Sequence, residues 1–448
     1  MSPAKTVQNG SLEKNMALLL KSKDSSNNAL LYSSPGRKEF PQPLAGVAGS
    51  VLPKWQYAVL LRESLPRLGP PMPIPRIASD AQLRARFHGC LLGGAVGDAL
   101  GAPVEFLDLE EIEKAYGQQG IRDYAPAFGK LGSITDDTQM TLFTGEGMLS
   151  AQLASALGGQ APDFFRAATA SYARWLTTQE ISQRGLSATT KSGWLLQQRK
   201  LFSRRSPGTT CLSALHSNRG KVTRAANDSK GCGGVMRIAP VGMYFAHALS
   251  RERHQDRLIP RIFSTGSDLA AITHGHPSGC LSAGVLAVIV GLVLAGSPLK
   301  KAMDAAKEEL RNHKSHAETL AAIEQAEALA AARPRERRVL RMMGKGFVAE
   351  EALAIGLYCA LSADDFEDGI ILAVNHSGDS DSTGSITGNL LGAAAGVQAI
   401  PERWLLNLEL RTTIEALADD LAAFPEWRLG GESDREERAF YTNRYPIA

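Results

Sequence analysis

Gly89-Cys90-Leu91-Leu92-Gly93-Gly94-Ala95-Val96-Gly97-Asp98-Ala99-Leu100-Gly101 sets a glycine at every fourth position, and Gly384, Gly388, Gly392 and Gly396 repeat the spacing near the other end of the chain. A spacing of four returns each glycine to one face of an α-helix. Glycine costs a helix interior about 1 kcal/mol relative to alanine, so two such stripes need a compensating gain. Close approach of another backbone, or of a ligand, supplies it. The stripes therefore predict two smooth helices that pack against each other or against a bound molecule.

The helical period extends through the residues between the stripes. Ala- and Leu-rich segments over 163–178, 282–295, 299–332, 349–361, 366–375 and 414–423 are punctuated by Gly or Pro and hold few alternating β-branched runs. The pattern predicts a single large multi-helical, all-α domain over residues 79–448. Arg333-Pro334 ends the most charged segment, and Arg335-Glu336-Arg337-Arg338 after it reads as a solvated helix face. The uncharged stretch 280–299, closed by Lys300-Lys301, is nearly long enough to cross a bilayer. Its recurrent Gly, Ala and Ser, and its isolation in the chain, favour a central helix buried on all sides, so no membrane association is expected.

Residues 1–78 have another character. Ser, Asn, Lys and Pro dominate, and Pro70-Pro71-Met72-Pro73-Ile74-Pro75 reads as extended chain. This segment is predicted to be a poorly ordered arm. Its apolar cluster Trp55-Gln56-Tyr57-Ala58-Val59-Leu60-Leu61 is a candidate partner-binding element that folds on contact. An inert leader is the competing reading. The run Met16-Ala17-Leu18-Leu19-Leu20 is too brief for the core of a signal peptide.

Composition narrows the function classes. With 49 basic and 46 acidic residues among 448, the net charge of +3 argues against a dedicated nucleic-acid binder. The five cysteines are scattered without CxxC spacing, which suggests neither a disulfide framework nor a zinc knuckle and fits a reducing, cytoplasmic setting.

Two acidic motifs could carry chemistry. In Gly132-Ser133-Ile134-Thr135-Asp136-Asp137-Thr138, Thr135 stands where a helix N-cap belongs and the paired aspartates fall in the first turn. Capping and dipole compensation explain either aspartate alone. Two carboxylates and a hydroxyl together also make a hard-oxygen ligand set suited to Mg²⁺ or Mn²⁺. In Asn375-His376-Ser377-Gly378-Asp379-Ser380-Asp381-Ser382-Thr383, the Asp-x-Asp-Ser order offers a second such set at another helix start, without the spacing or closing Glu of an EF-hand. Solvated turn acids are the alternative there. His274 and His276 form an HxH, but Pro277 and the apolar run after it indicate the first turn of a helix and not a metal site. Cys232 lies in a glycine-rich turn with no evident base, which makes it a poor nucleophile. Gly231-Cys232-Gly233-Gly234 lacks the preceding strand and the spacing of a dinucleotide fingerprint.

Taken in order, the run from Gly89 on through Ala102-Pro103-Val104-Glu105-Phe106, then Thr135-Asp136-Asp137-Thr138, then Gly378-Asp379-Ser380-Asp381-Ser382, resembles the ADP-ribosylglycohydrolase family. Pro207-Gly208-Thr209-Thr210-Cys211, Gly231-Cys232-Gly233-Gly234-Val235-Met236-Arg237 and Thr273-His274-Gly275-His276-Pro277 extend the resemblance over residues 86–423. The arm and the tail from about residue 426 depart from it. The resemblance implies an all-α fold and two Mg²⁺ or Mn²⁺ ions held by Thr135, Asp136 and Asp137 from one side and Asp379, Asp381 and Ser382 from the other. It also implies that Gly231, Gly233, Gly234 and Met236 line a cleft for ADP-ribose and that Glu105 overhangs the metal pair.

The implied reaction is hydrolysis of the bond between ribose C1″ and a protein side chain, arginine in first place, through positive charge building on the ribose. A metal-held water supplies a nucleophile without a catalytic histidine. Glu105 and Asp379 are the candidates for orienting or deprotonating it. An ADP-ribosylated protein is the expected substrate, in a setting that includes immunity against an ADP-ribosyltransferase toxin. The alternative function is a module that blocks such a transferase by contact through the arm.

Overall fold

In the computed structural model, which describes residues 80–179, 192–251 and 255–447, sixteen α-helices and short 3-10 turns make up the regular structure. No strand occurs among the described residues. The first eight helices are α1 (Asp80–Gly101), α2 (Leu109–Tyr116), α3 (Asp136–Gly158), α4 (Phe164–Gln179), α5 (Thr209–Asn218), α6 (Ala239–Arg251), α7 (Ile259–Ala271) and α8 (Pro277–Leu294). The others are α9 (Leu299–Arg311), α10 (Ala317–Ala332), α11 (Ala349–Ser362), α12 (Phe366–Val374), α13 (Ser380–Ala395), α14 (Glu402–Asn407), α15 (Arg411–Ala423) and α16 (Arg435–Arg444). The predicted arm, with the cluster 55–61, lies outside the described residues.

The two glycine stripes meet each other. A β-carbon added at Gly89 would lie 2.3 Å from Gly392 O, at Gly93 2.4 Å from Gly388 O, at Gly97 2.0 Å from Gly384 O, and at Gly101 2.3 Å from Ser380 O. As residue numbers rise along α1 they fall along α13, so the helices run antiparallel with backbone against backbone. Only hydrogen fits between them. Asn389 closes the seam by donating from Nδ2 to Cys90 O at 2.8 Å. This register carries the C-terminal end of α1, with Glu105 just beyond it, to the N-terminal end of α13, where Asp379 and Asp381 sit.

Around that pair the remaining helices bury their apolar faces. α15 packs on α1, and α11 and α12 pack on α13. The apolar stretch read as a central helix is α8, long and apolar enough to cross a membrane by composition, and every residue from Ser278 to Leu294 except Cys280 is buried. It contacts α6, α7, α9 and α11. The expected single segment 299–332 is two helices, α9 and α10. Ser315, at φ +60, takes a left-handed conformation that an α-helix cannot continue through. Beyond the expected core, the tail folds back: Trp427 stacks on Tyr441 at 3.8 Å between centroids, and Arg444 lies over the Trp194 ring at 3.7 Å.

Candidate metal centre

Thr135 caps α3 as its sequence position predicts, its Oγ1 accepting from Asp137 N at 3.3 Å. Its own N–H, and the N–H of Thr138, donate to Asp98 at 3.0 and 3.1 Å. Asp98 is the sole acid within the glycine stretch of α1 and is fully buried. It therefore moors the first turn of α3 to the α1–α13 pair. On the other flank, Asp136 N donates to Arg205 O at 3.0 Å, and Gly208 N donates to Asp136 Oδ2 at 3.1 Å. Arg205 is paired to buried Glu409, which also accepts from Ile134 N at 3.3 Å.

Asp379 is the N-cap of α13, but its side chain makes no capping bond. Its N–H donates to Lys345 O at 2.7 Å, and a β-carbon at Gly378 would fall 1.9 Å from that same oxygen. The turn Gly344-Lys345-Gly346, with both glycines at positive φ, thus presses on the acidic loop from outside. Ser382 N donates to Asp381 Oδ1 at 2.9 Å. Ligand atoms of Glu105, Asp379 and Asp381 all lie within 4.8 Å of one another.

The two motifs form one pocket. Asp136, Asp137, Asp379 and Asp381 are each at most 4% exposed, and Thr135 and Ser382 are buried beside them. Burial pushes the Asp136, Asp137 and Asp379 carboxyls well above the usual carboxylate range. The Asp381 charge adds to the shift in each, and Asp381 itself is also raised by burial. Asp98 is pushed up to about 7 by burial and then by Asp381. Among the described residues no Lys, Arg or His forms an ion pair with any of these five aspartates. Asp137 Oδ1 is buried without a hydrogen-bond partner. A cluster of hard oxygens that repel one another and keep an orphaned acceptor fits a divalent cation such as Mg²⁺ or Mn²⁺.

The glycine turn stands next to this pocket. Cys232 begins a 3-10 turn through Gly234, and its S–H donates to Asp379 Oδ2 at 2.9 Å. Met236 Sδ lies 3.8 Å from Ser382 Oγ. The missing β-carbons of Gly233 and Gly234 point to the core: they would fall 2.7 Å from Cys211 Sγ and 2.9 Å from Ala270 Cβ. Packing alone demands glycine at both. Gly231 rests on His274, whose Nε2 would be 3.3 Å from a β-carbon there. His274 is buried, held neutral with its pKa pushed down to about 3 by burial and by Arg237, and supports the turn from behind. His276 is the N-cap of α8, its Nδ1 accepting from Ser278 N at 3.2 Å, as the following proline indicates. At the outer edge, Phe106 and Phe347 stack with centroids 6.3 Å apart, both partly exposed.

Sequence reasoning missed four contributors: Asp98, the contact of Cys232 with Asp379, the segment Arg205 to Gly208, and the turn at Gly344-Lys345-Gly346. Asp98 left a signal, a lone acid among small residues. The turn left one as well, a lysine between two glycines. Arg205 and Gly208 act through backbone atoms, which any residue carries.

The frame is all-α, and it brings two remote acidic motifs together in one buried cluster of oxygens. The ADP-ribosylglycohydrolase family model matches residues 79–429, and the chain belongs to that family. It is similar to an uncharacterised protein of Archaeoglobus fulgidus, 29% identical over 76% of this chain and 96% of the relative. It is also similar to the ADP-ribosyl-[dinitrogen reductase] glycohydrolase of Rhodospirillum rubrum, 27% identical over 74% and 92%. The ADP-ribosylarginine hydrolase of Pseudomonas putida is 24% identical over 75% and 77%. Among solved structures, an ADP-ribosylglycohydrolase-related protein superposes with a TM-score of 0.53 at 27% identity, over 77% of this chain and 98% of the other.

Proposed function

We propose that the protein hydrolyses the bond between ADP-ribose and an arginine side chain of a modified protein, at a centre of two Mg²⁺ or Mn²⁺ ions. The observation that carries the reading is that buried Asp136 and Asp137 lie close enough to Asp381 to feel its charge, beside Thr135 and Ser382 and with Asp137 Oδ1 unpartnered. When bound, the cations supply fixed ribose hydroxyls and a water acidified toward neutrality. The chain's own residues do the rest. Asp98 and Gly208 hold the Thr135–Asp137 turn at its angle, and Lys345 O holds Asp379. Glu105, within 4.8 Å of Asp379 and Asp381, takes or orients the proton of the attacking water, and Asp379 shares that role. Gly231, Gly233, Gly234 and Met236, beside Asp379 and Ser382 through Cys232, are the residues proposed to line the ADP-ribose cleft.

Relatives named as ADP-ribosylarginine hydrolases support the arginine linkage. Relatives named ADP-ribosylhydrolase ARH3 match at 23% and 22% identity, so linkage is decided by assay. A cytoplasmic setting belongs to the same proposal, supported by five free cysteines. So does an immunity role, exercised by reversing the product of an ADP-ribosyltransferase. Contact inhibition through residues 1–78 falls on a segment outside the described residues.

The test is release of ADP-ribose from arginine-, serine- and thymidine-linked substrates with Mg²⁺ or Mn²⁺ present. Release from arginine is expected. Release from serine with none from arginine would overturn the linkage.

A further inference from the structure

The stretch from Ser192 to Asn227 holds seven Arg and Lys residues and no Asp or Glu, in a chain whose 49 basic and 46 acidic residues nearly balance. On the helical surface elsewhere, Arg311 meets Glu324 at 3.0 Å and Arg403 meets Asp123 at 2.7 Å. Within the stretch, Arg205 pairs with Glu409 and Arg224 with Asp268. Arg199, Lys200 and Arg204 are exposed and form no ion pair among the described residues. Phe202 stands among them, 39% exposed. Like charges gathered with no acid between them repel, whereas an ordinary protein surface mixes both signs.

The backbone that carries these cations is fixed and runs straight to the acidic pocket. Leu195, Leu201 and Arg205 are buried, Gln139 Nε2 donates to Ser203 O at 3.0 Å, and Arg205 Nε donates to Ser203 Oγ at 3.0 Å. The residues that follow touch Asp136: its N–H donates to Arg205 O, and Gly208, itself exposed, donates to its Oδ2 at 3.1 Å. Gly208 thus lies on the rim of the pocket. From Arg204 to Gly208 the chain spans at most ~14 Å. A protein interface of ordinary size covers about 800 Å² a side, a disc of radius ~16 Å. A protein that places one of its side chains in the pocket therefore has Arg204 within its footprint.

We propose that Arg199, Lys200 and Arg204, set around Phe202, form a docking surface for an acidic patch on the ADP-ribosylated protein, beside the modified side chain. The inference rests on the reading of the pocket as an ADP-ribosyl hydrolase site. Opposite charge across an interface speeds encounter and selects among partners. Exposed pairs of this kind weaken as salt shortens the screening length from about 10 Å at 0.1 M to about 3 Å at 1 M. Phe202 supplies an apolar contact at the centre of the charged ring. Selectivity among modified proteins then resides outside the pocket, which meets only the ADP-ribose and the linked side chain.

The test measures kcat/KM, with Mg²⁺ present, on free ADP-ribosyl-arginine and on two synthetic peptides that each carry one ADP-ribosyl-arginine. One peptide is flanked by Asp and Glu and the other by Ser and Gly, over about eight residues on each side, long enough to pass Arg204. The wild type should favour the acidic peptide by about tenfold at ~0.05 M salt, and the preference should vanish near ~1 M. Arg199→Glu/Lys200→Glu/Arg204→Glu should abolish the preference, and Arg199→Gln/Lys200→Gln/Arg204→Gln should reduce it. Both variants should cleave free ADP-ribosyl-arginine at the wild-type rate, which also reports on their fold. Equal rates on the two peptides, or an undiminished preference in the glutamine variant, overturns the inference alone. So does salt-sensitive binding of a single-stranded oligonucleotide that is lost in the glutamate variant, with no preference between the peptides, because the surface then serves a nucleic acid. No release from any of the three substrates by the wild type removes the hydrolase reading and the inference with it.

Discussion

Along the middle of the α1–α13 contact, backbone meets backbone, with Gly93 against Gly388 and Gly97 against Gly384 and no side chain between. At its end, carboxylate meets carboxylate, with Asp379 and Asp381 gathered beside Glu105. The facing glycine surfaces carry no charge between them, and their cost in helix propensity is offset by close packing. The acidic end is charged, and all of its aspartate carboxyls are raised by burial. The seam holds together what would otherwise push apart. Stability and function are thus divided along a single helix pair, and substitutions in the two parts should fail in different ways.

The largest effect is expected in the seam. Leucine at position 97 would have its β-carbon 2.0 Å from Gly384 O, so Gly97→Leu should yield no folded protein. Gly97→Ala should lower the unfolding free energy by about 3 kcal/mol in denaturant melts. An unchanged midpoint would mean that the two helices do not touch there. At the acidic end the signs reverse. Asp137→Asn should reduce turnover by roughly 10²-fold or more while leaving the metal-free protein as stable or more stable by about 1 kcal/mol, because it removes one of several buried carboxyls whose ionised forms repel one another. A large loss of metal-free stability would show that Asp137 serves the fold.

Asp98 tests the join between the two parts. It lies in the glycine helix yet holds the Thr135 turn, so Asp98→Asn should weaken Mn²⁺ binding by about tenfold with a smaller loss of stability. Equal Mn²⁺ affinity in both proteins would make it a packing residue only. The smallest effect is in pH. His376 is buried against Thr383 and its pKa is pushed down to about 4 by burial, from 6.5. Between those values the unfolded chain binds more protons than the folded one, so this histidine's contribution is present above pH 6.5 and is lost as pH falls toward 4. Thermal melts at saturating Mn²⁺ should show that acid decline, and His376→Gln should flatten it.

Much of this was legible in the chain. The glycine stripes gave the seam because a period of four has one geometric meaning in a helix, Thr135 gave its cap because a hydroxyl acceptor before a helix acts locally, and Pro277 gave the start of α8. Thr135, Asp136, Asp137, Asp379, Asp381 and Ser382, expected as ligands from the resemblance, are all buried, and Asp137 lies close enough to Asp379 and Asp381 to feel their charges. The roles of Arg205 O, Gly208 N and Lys345 O could not be read, since main-chain atoms carry no residue signature. Cys232 has no base near it in sequence, and its partner is an acid at the start of α13. Gly233 and Gly234 show the reverse limit: a motif associated with a ligand cleft also has its missing side chains facing the core.

We propose above that two remote motifs make one cation-dependent hydrolytic centre. Equilibrium Mn²⁺ binding and ADP-ribosyl-arginine hydrolysis, measured together on the wild type, Asp136→Ala and Asp379→Ala with circular dichroism as the fold control, test it most directly. Two Mn²⁺ per wild-type chain are expected, with fewer bound Mn²⁺, no turnover and an unchanged helical spectrum in either variant. Full turnover by the exhaustively chelated wild type, or wild-type rates in either variant, would contradict it.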